Sequence, residues 1–284
     1  MKTLIFLSVI IATLLFGAGS AGATTYTWVG ASGGAWTTKT NWSPSTGYPG
    51  TTSTDVASFI SATTVSYSSN LTIGSITTGY NSGAVVISFA GTTPTLSMTS
   101  FTLGGGGSSV VQLTFTGTGT VNVSSSPTTN VYLASFAIGA GTIFNLASGQ
   151  TINMANNPAS FSNAGTLNLP GATFTYTANS TSSTFTNSGT INATGGTFTN
   201  NATTTNSGTI TLQSNCTGNF NAYSSSTAIT NSGTINANSA STLNLRAPVI
   251  SNGVIAVSSS TLALGSGSGN GTGFITSSNS ITST

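Results

Sequence analysis

The chain contains no histidine and no glutamate, and Asp55 is its single acidic residue. Lys2, Lys39 and Arg246 are its only bases, and Cys216 is its only cysteine. Each shortage removes a class of chemistry. Glycoside hydrolysis needs two carboxylates across the scissile bond, and Asp55 stands alone. Ser-His-Asp and Cys-His centres lack their base. Zinc, iron and calcium sites lack a ligand set. We therefore expect a protein that is not an enzyme and holds no metal or cofactor. Binding to a phosphate backbone needs clustered Lys and Arg, so no nucleic-acid partner is expected. Cys216 cannot form an internal disulfide; it is either a buried, inert thiol or one that pairs between chains.

What the chain does contain is hydroxyl and amide. Of its 284 residues, 56 are Thr, 47 Ser, 27 Asn and 35 Gly. So little charge often marks disorder, yet Val, Ile, Leu and Phe recur at strand spacing, which favours folded β structure. Solubility then rests on neutral polar groups. Eight N-x-S/T sequons occur, close to the chance number for this composition, so they carry no message.

The organising stretch is Thr184–Ala193, TFTNSGTINA. Close copies lie at Thr205–Ile210 and Thr230–Ile235, and looser ones at Asn163–Leu167 and Asn252–Ile255. The shared core is Gly, a small residue, then an aliphatic one, which also picks out Gly119-Thr120-Val121 and Gly141-Thr142-Ile143. The series is Gly119, Gly141, Gly165, Gly189, Gly208, Gly233 and Gly253. Its period drifts over about 20–25 residues, which predicts an all-β solenoid with one coil per repeat. Strand alternation places Phe174, Phe198, Leu243 and Leu262 on one inward face and Ile191, Ile210, Ile235 and Ile255 on another, with Thr outside. The glycines are expected at corners with positive φ. Asn187, Asn206 and Asn231 before them are expected to tolerate the left-handed region and to hydrogen-bond between coils. The run Gly104–Gly107 has no Lys for a phosphate and no Asp for calcium, and reads as a turn.

Residues 1–23 read as a signal peptide: Lys2, an apolar run over Leu4–Phe16, and the small-residue site Ala21-Gly22-Ala23. The run is short for a membrane span. Cleavage near Ala23 would leave a secreted or cell-surface protein with no integral span. Residues 24–59 form a second unit holding Trp28, Trp36 and Trp42. This cluster leaves two readings open, a cap over the end of the solenoid or a platform for sugar stacking. Asp55 fits a role in bonding cap backbone. Residues 60–284 would be the solenoid, with regular coils over about 114–264.

Trp28, Gly30, Trp36, Asn41, Trp42, Ser43, Pro49 and Asp55 resemble the segment that follows the signal peptide in many secreted, repeat-rich bacterial surface proteins. The N-x-G-x-I strands over about Gly119–Val257 resemble the repeats of haemagglutinin-type adhesins and autotransporter passengers. That resemblance implies a right-handed parallel β-helix with a Trp-rich N-terminal cap, and adhesion. The chain departs from it after Thr261, where neither a translocator barrel nor a sorting domain follows. A fragment, frayed last coils, and pairing with another subunit all remain open.

Three functions fit these readings. The first is a non-catalytic structural or adhesive solenoid making many weak contacts with glycans, matrix or other copies of itself. The second is ice binding by outward Thr ladders. The Thr-x-Thr triplets at 114–116, 173–175, 184–186 and 197–199 are unevenly spaced, too irregular for one triplet per coil. The third is a carbohydrate-binding module using Trp28, Trp36 and Trp42.

Overall fold

Apolar and polar residues alternate along nearly every strand, and the chain resolves this by winding one face of each strand inward. The computed structural model describes residues 22–80, 82–104, 111–127, 134–154, 160–178, 180–221, 224 and 227–265, and the backbone of strands Ile275–Ser277 and Ile281–Ser283. Most of the expected signal segment and residues 105–107 of the glycine run lie outside these. Among the described residues the chain forms a β-solenoid of three sheets, with 13, 11 and 6 strands, which we call sheets 1, 2 and 3. Every pairing is parallel except that of Trp42–Ser43 with Thr25–Trp28.

Parallel stacking begins much earlier than the repeat motif. Thr25–Trp28 already pairs with Val56–Phe59, and Gly34–Ala35 with Thr63–Tyr67. Residues 24–59 are therefore the first coil as well as the cap. The early coils hide their period because they are built on long strands, Leu71–Thr78 and Thr95–Leu103, without the N-x-G corner. Later coils have three short strands each, such as Thr142–Leu146, Thr151–Met154 and Ser160–Asn163. Successive register partners are Ile143, Thr166, Thr190, Thr209, Thr234 and Val254, so the coils differ in length. The differences are absorbed at corners, and the strands stay aligned.

Inside, like residues stack on like. Ile191, Ile210, Ile235 and Ile255 are successive partners and all are buried. Phe161 and Phe185 lie nearly parallel with ring centroids 5.1 Å apart, and Phe174 and Phe198 at 5.0 Å. Offset stacks of this kind add to the area they bury. The column from Phe198 continues as Gly218 and then Leu243. A Cβ at Gly218 would strike Leu212 Cδ1, so a neighbouring leucine fills the space that the missing side chain leaves.

Two sequence expectations need correction. First, Gly119 pairs with Thr142, and Val121 with Phe144, so the Gly141 triplet is out of frame by one residue. A slip of one reverses the faces: Phe144 is buried where Ile143 was expected, and Ile143 is 41% exposed. Gly141 does lie in the left-handed region, at φ +81°. Second, Gly119, Gly165, Gly189, Gly208, Gly233 and Gly253 do not have positive φ. They are required by crowding. A Cβ on Gly189, Gly208, Gly233 or Gly253 would collide with the carbonyl oxygen of the glycine one coil before. These glycines form their own ladder, in which backbone passes directly over backbone.

The preceding asparagines belong to the strands, not to left-handed corners. Asn163, Asn187, Asn206 and Asn231 are successive partners, about as buried as the phenylalanines. Asn163 Nδ2 donates to Asn187 Oδ1 at 2.8 Å, Asn187 to Asn206 at 2.7 Å, Asn206 to Asn231 at 2.7 Å, and Asn231 to Ser251 Oγ at 3.1 Å. Each of these four Nδ2 groups also donates to the backbone carbonyl just past the glycine of the next coil: Thr190, Thr209, Thr234 and Val254 in turn. The ladder begins where Ile138 gives way to Asn163, whose Oδ1 finds no partner among the described residues. Removing an amide from the middle orphans the next one in a site of low dielectric. Asn206→Ala is expected to lower the unfolding free energy by about 2–3 kcal/mol. Gly208→Ala should cost about 2 kcal/mol or more by overpacking. Gly91→Ala, in open space at φ +89°, should cost less than either when all three are compared by urea unfolding.

Candidate functional site

With the interior filled by apolar and amide columns, what the coils offer to a partner is their outer columns. On sheet 3, Thr151, Thr173, Thr197, Thr217, Thr242 and Thr261 are successive partners, an unbroken file of six. Beside it run Asn153, Thr175, Thr199, Asn219, Asn244 and Ala263. Asn219 Nδ2 donates to Thr199 Oγ1 at 3.2 Å and Asn244 Nδ2 to Asn219 Oδ1 at 2.7 Å, so the second file is partly tied together.

The irregular spacing of the Thr-x-Thr triplets has a simple cause. Triplets 173–175 and 197–199 are direct partners on sheet 3, whereas 184–186 pairs with Thr203–Thr205 on sheet 2. The short intervals on either side of 184–186 are alternation between two faces. On sheet 3 the step from 173–175 to 197–199 is one coil, whereas on sheet 2 triplet 114–116 lies three coils before 184–186, with Ala137 and Ser162 between Thr114 and Thr186.

Sheet 1 carries a file that sequence reasoning missed. Asn122, Asn145, Asn168 and Asn192 are register partners, half-buried on the outside. Asn192 Nδ2 donates to Asn168, Asn168 to Asn145, and Asn145 to Asn122, at 2.9, 2.8 and 2.8 Å. Here the donors point toward the N-terminal end, opposite to the inner ladder. The signal is present as an Asn in the second place after Thr120, Thr166 and Thr190, but a search framed on glycine passes over it.

The cap closes the first coil. Trp28, Trp36 and Trp42 are 3%, 1% and 1% exposed. Trp42 packs edge-on against Trp28 and Trp36, with centroids 4.9 and 5.0 Å away, and Phe59 and Tyr67 lie beneath the cluster. Trp36 Nε1 donates to Pro49 O at 2.8 Å and Trp42 Nε1 to Trp36 O at 2.6 Å. No indole face is left on which a sugar could stack, which corrects the platform reading. The short strand Trp42–Ser43, antiparallel, covers the edge of sheet 1.

Asp55 is fully buried and pins the cap loop. Its carboxylate accepts from the backbone of Thr24, Gly50 and Thr52 and from the hydroxyls of Thr51 and Thr52. Burial alone would raise its pKa; the bonds from Thr52, Thr51 and Thr24 outweigh that and hold it below the ordinary 3.8. Burial pushes the Cys216 thiol up to about 11 and the Tyr67 and Tyr176 phenols higher still. Among the described residues no three of His, Cys, Asp or Glu come together, and no helix is long and apolar enough to cross a membrane. Lys39 and Arg246 are exposed, one on the cap and one just after Thr242–Leu245.

No protein-family model, curated protein or solved structure matches the chain.

These ionisations set an expected pH profile. Asp55, depressed when folded, stabilises above its unfolded pKa, and that contribution is lost as pH falls below about 4. Cys216, Tyr67 and Tyr176, raised when folded, favour the fold below their unfolded values and cease to do so as pH rises past about 8.5 for the thiol and about 10 for the phenols. Thermal unfolding should therefore vary little between these limits and decline outside them. Asp55→Asn should remove the acid limb. Cys216 should react with a thiol reagent at neutral pH only after denaturant is added; rapid labelling of the native protein would contradict its burial.

Proposed function

We propose that this protein is a non-catalytic, secreted or cell-surface solenoid that adheres by many weak contacts to glycans, matrix or other copies of itself. The observation that carries this reading is the set of outward hydroxyl and amide files, held in register on three sheets. A single hydroxyl contact contributes little in water. Many at fixed spacing act together, because binding the first rung raises the effective concentration of the next. The scarcity of ionisable groups supports the reading that the protein does no chemistry. The leader-like residues 1–23 support export, and the N-x-G-x-I pattern supports kinship in kind with haemagglutinin-type and autotransporter passenger repeats.

The test is to present the purified protein to polysaccharide arrays, matrix proteins and host cells, with self-association followed by sedimentation. Retention that persists at high salt is expected, since neutral contacts are not screened. The absence of binding on every surface, together with unaltered attachment of a deletion strain, would falsify adhesion.

The six-Thr file favours a second reading, binding to ice. Parallel strands about 4.8 Å apart and alternate residues about 7 Å apart along each strand make a two-dimensional grid, in which the continuous Thr file lies beside a mixed file with hydroxyls at Thr175 and Thr199. Sheet 3 supplies the constant register that such a grid needs. Thermal hysteresis is then expected for the wild type, abolished by Thr197→Tyr on sheet 3 and retained by Thr205→Tyr on sheet 2. Freezing behaviour equal to that of a control protein removes this reading.

A further inference from the structure

A concavity lies on the outer wall among the described residues. It is an open groove of about 630 Å³ on sheet 1, running along the coil axis from Ser53 and Thr54 of the cap loop to Pro170. Its construction follows from register. Thr72, Ser97, Asn122 and Asn145 are successive partners and make one rail. Ile73, Met98, Val123 and Leu146, the next residue in each strand, are also successive partners and lie buried beneath the groove. Thr99, Ser124 and Ala147, one further on, make the opposite rail. Coil steps of about 4.8 Å give the longer rail a length of roughly 15 Å.

The geometry points to an uncharged, linear polysaccharide laid along this groove, with its rings roughly in step with the coils. This rests on the adhesive reading above and specifies one of its ligands and its site. Four features select that occupant. The lining has no charged side chain, so a polyanion gains nothing and loses its hydration. An extended peptide would seek main-chain partners, yet the backbone here is already paired between coils: Ser124 N donates to Met98 O and Ala147 N to Val123 O. Sugar hydroxyls both donate and accept, as do the Ser and Thr hydroxyls of the rails. Finally, the outer amide file ends in this groove. Asn122 Oδ1 accepts from Asn145, while Asn122 Nδ2 has no acceptor among the described residues, leaving a donor at the terminus of a polarised chain. The volume falls within the range of small-ligand sites.

The experiment measures binding of the whole purified protein to neutral linear polysaccharides (a β-glucan, a mannan, a galactan) and to an anionic one (alginate), by affinity electrophoresis and calorimetry. Ser97→Tyr fills the groove. Asn122→Asp keeps the acceptor that Asn145 needs while replacing the free donor by a carboxylate oxygen and adding a negative charge, and it remains informative if the bulkier variant does not fold. Ser61→Tyr, in the exposed turn between Val56–Phe59 and Thr63–Tyr67 and outside both the groove and the outward files, is the control. Binding of at least one neutral chain is expected, weakened at least tenfold by Ser97→Tyr and about threefold or more by Asn122→Asp, with the control within about twofold. Melting curves matched to wild type accompany each variant. Equal affinity of wild type and both groove variants, or a preference for alginate, overturns the groove while leaving adhesion through the faces standing. So does adhesion to cells or matrix in a protein that binds no polysaccharide. Failure of every adhesive assay overturns both.

Discussion

The structure depends on vertical register between coils. A buried amide must find a partner, and in a chain with almost no charge the partner available is the same amide one coil away. The file Asn163, Asn187, Asn206, Asn231 meets that demand only if every coil stacks with the same residue on the same level. A slip of one residue would turn these amides outward and bring threonines into the core. The apolar columns alone do not discriminate as sharply, since Phe185 is followed without harm by Thr204, and Phe198 by Gly218. Polar satisfaction specifies the register; apolar burial supplies the drive.

The glycine ladder is the other half of the same constraint. Because backbone crosses backbone at Gly165, Gly189, Gly208, Gly233 and Gly253, the corner admits no side chain, and it clamps the two strands beside it at a fixed distance. With that corner held, the remaining corners are free to differ in length. This explains how the short step from Thr190 to Thr209 and the longer one from Thr209 to Thr234 coexist in one stack.

Much of this is legible in the sequence, and the part that is not has a physical cause. Period, inward Phe and Ile files and the all-β class follow from alternation and recurrence, which local composition records directly. The reason for each glycine is hidden because positive φ is a local property, whereas crowding is a property of the neighbouring coil. Likewise Gly141 matches Gly119 by motif, yet pairing puts Phe144 on the inward side, since a phenylalanine gains more from burial than an isoleucine at that level loses by exposure. The cap tryptophans are ambiguous because stacking on sugar and packing on Phe59 use the same ring face. The Thr-x-Thr triplets mislead because a linear spacing cannot tell which of three faces a strand occupies.

Repetition also constrains where a distinct site can arise. Along a regular stack every rung has the same neighbours, so no position is chemically special and contacts are shared evenly. A local difference requires a place where the coil changes form. Such a place exists between the early coils, where Thr95–Leu103 runs as one long strand, and the later ones, where Thr142–Leu146 and Thr151–Met154 are separate strands with a corner between them. The groove lies across this transition, and the outer amide file ends there with an unused donor. On the adhesive reading proposed above, the faces act by number and the groove by shape, and the same vertical register makes both: it aligns hydroxyls into files on the sheets and aligns Ser97, Asn122 and Asn145 into a rail where the coil changes form.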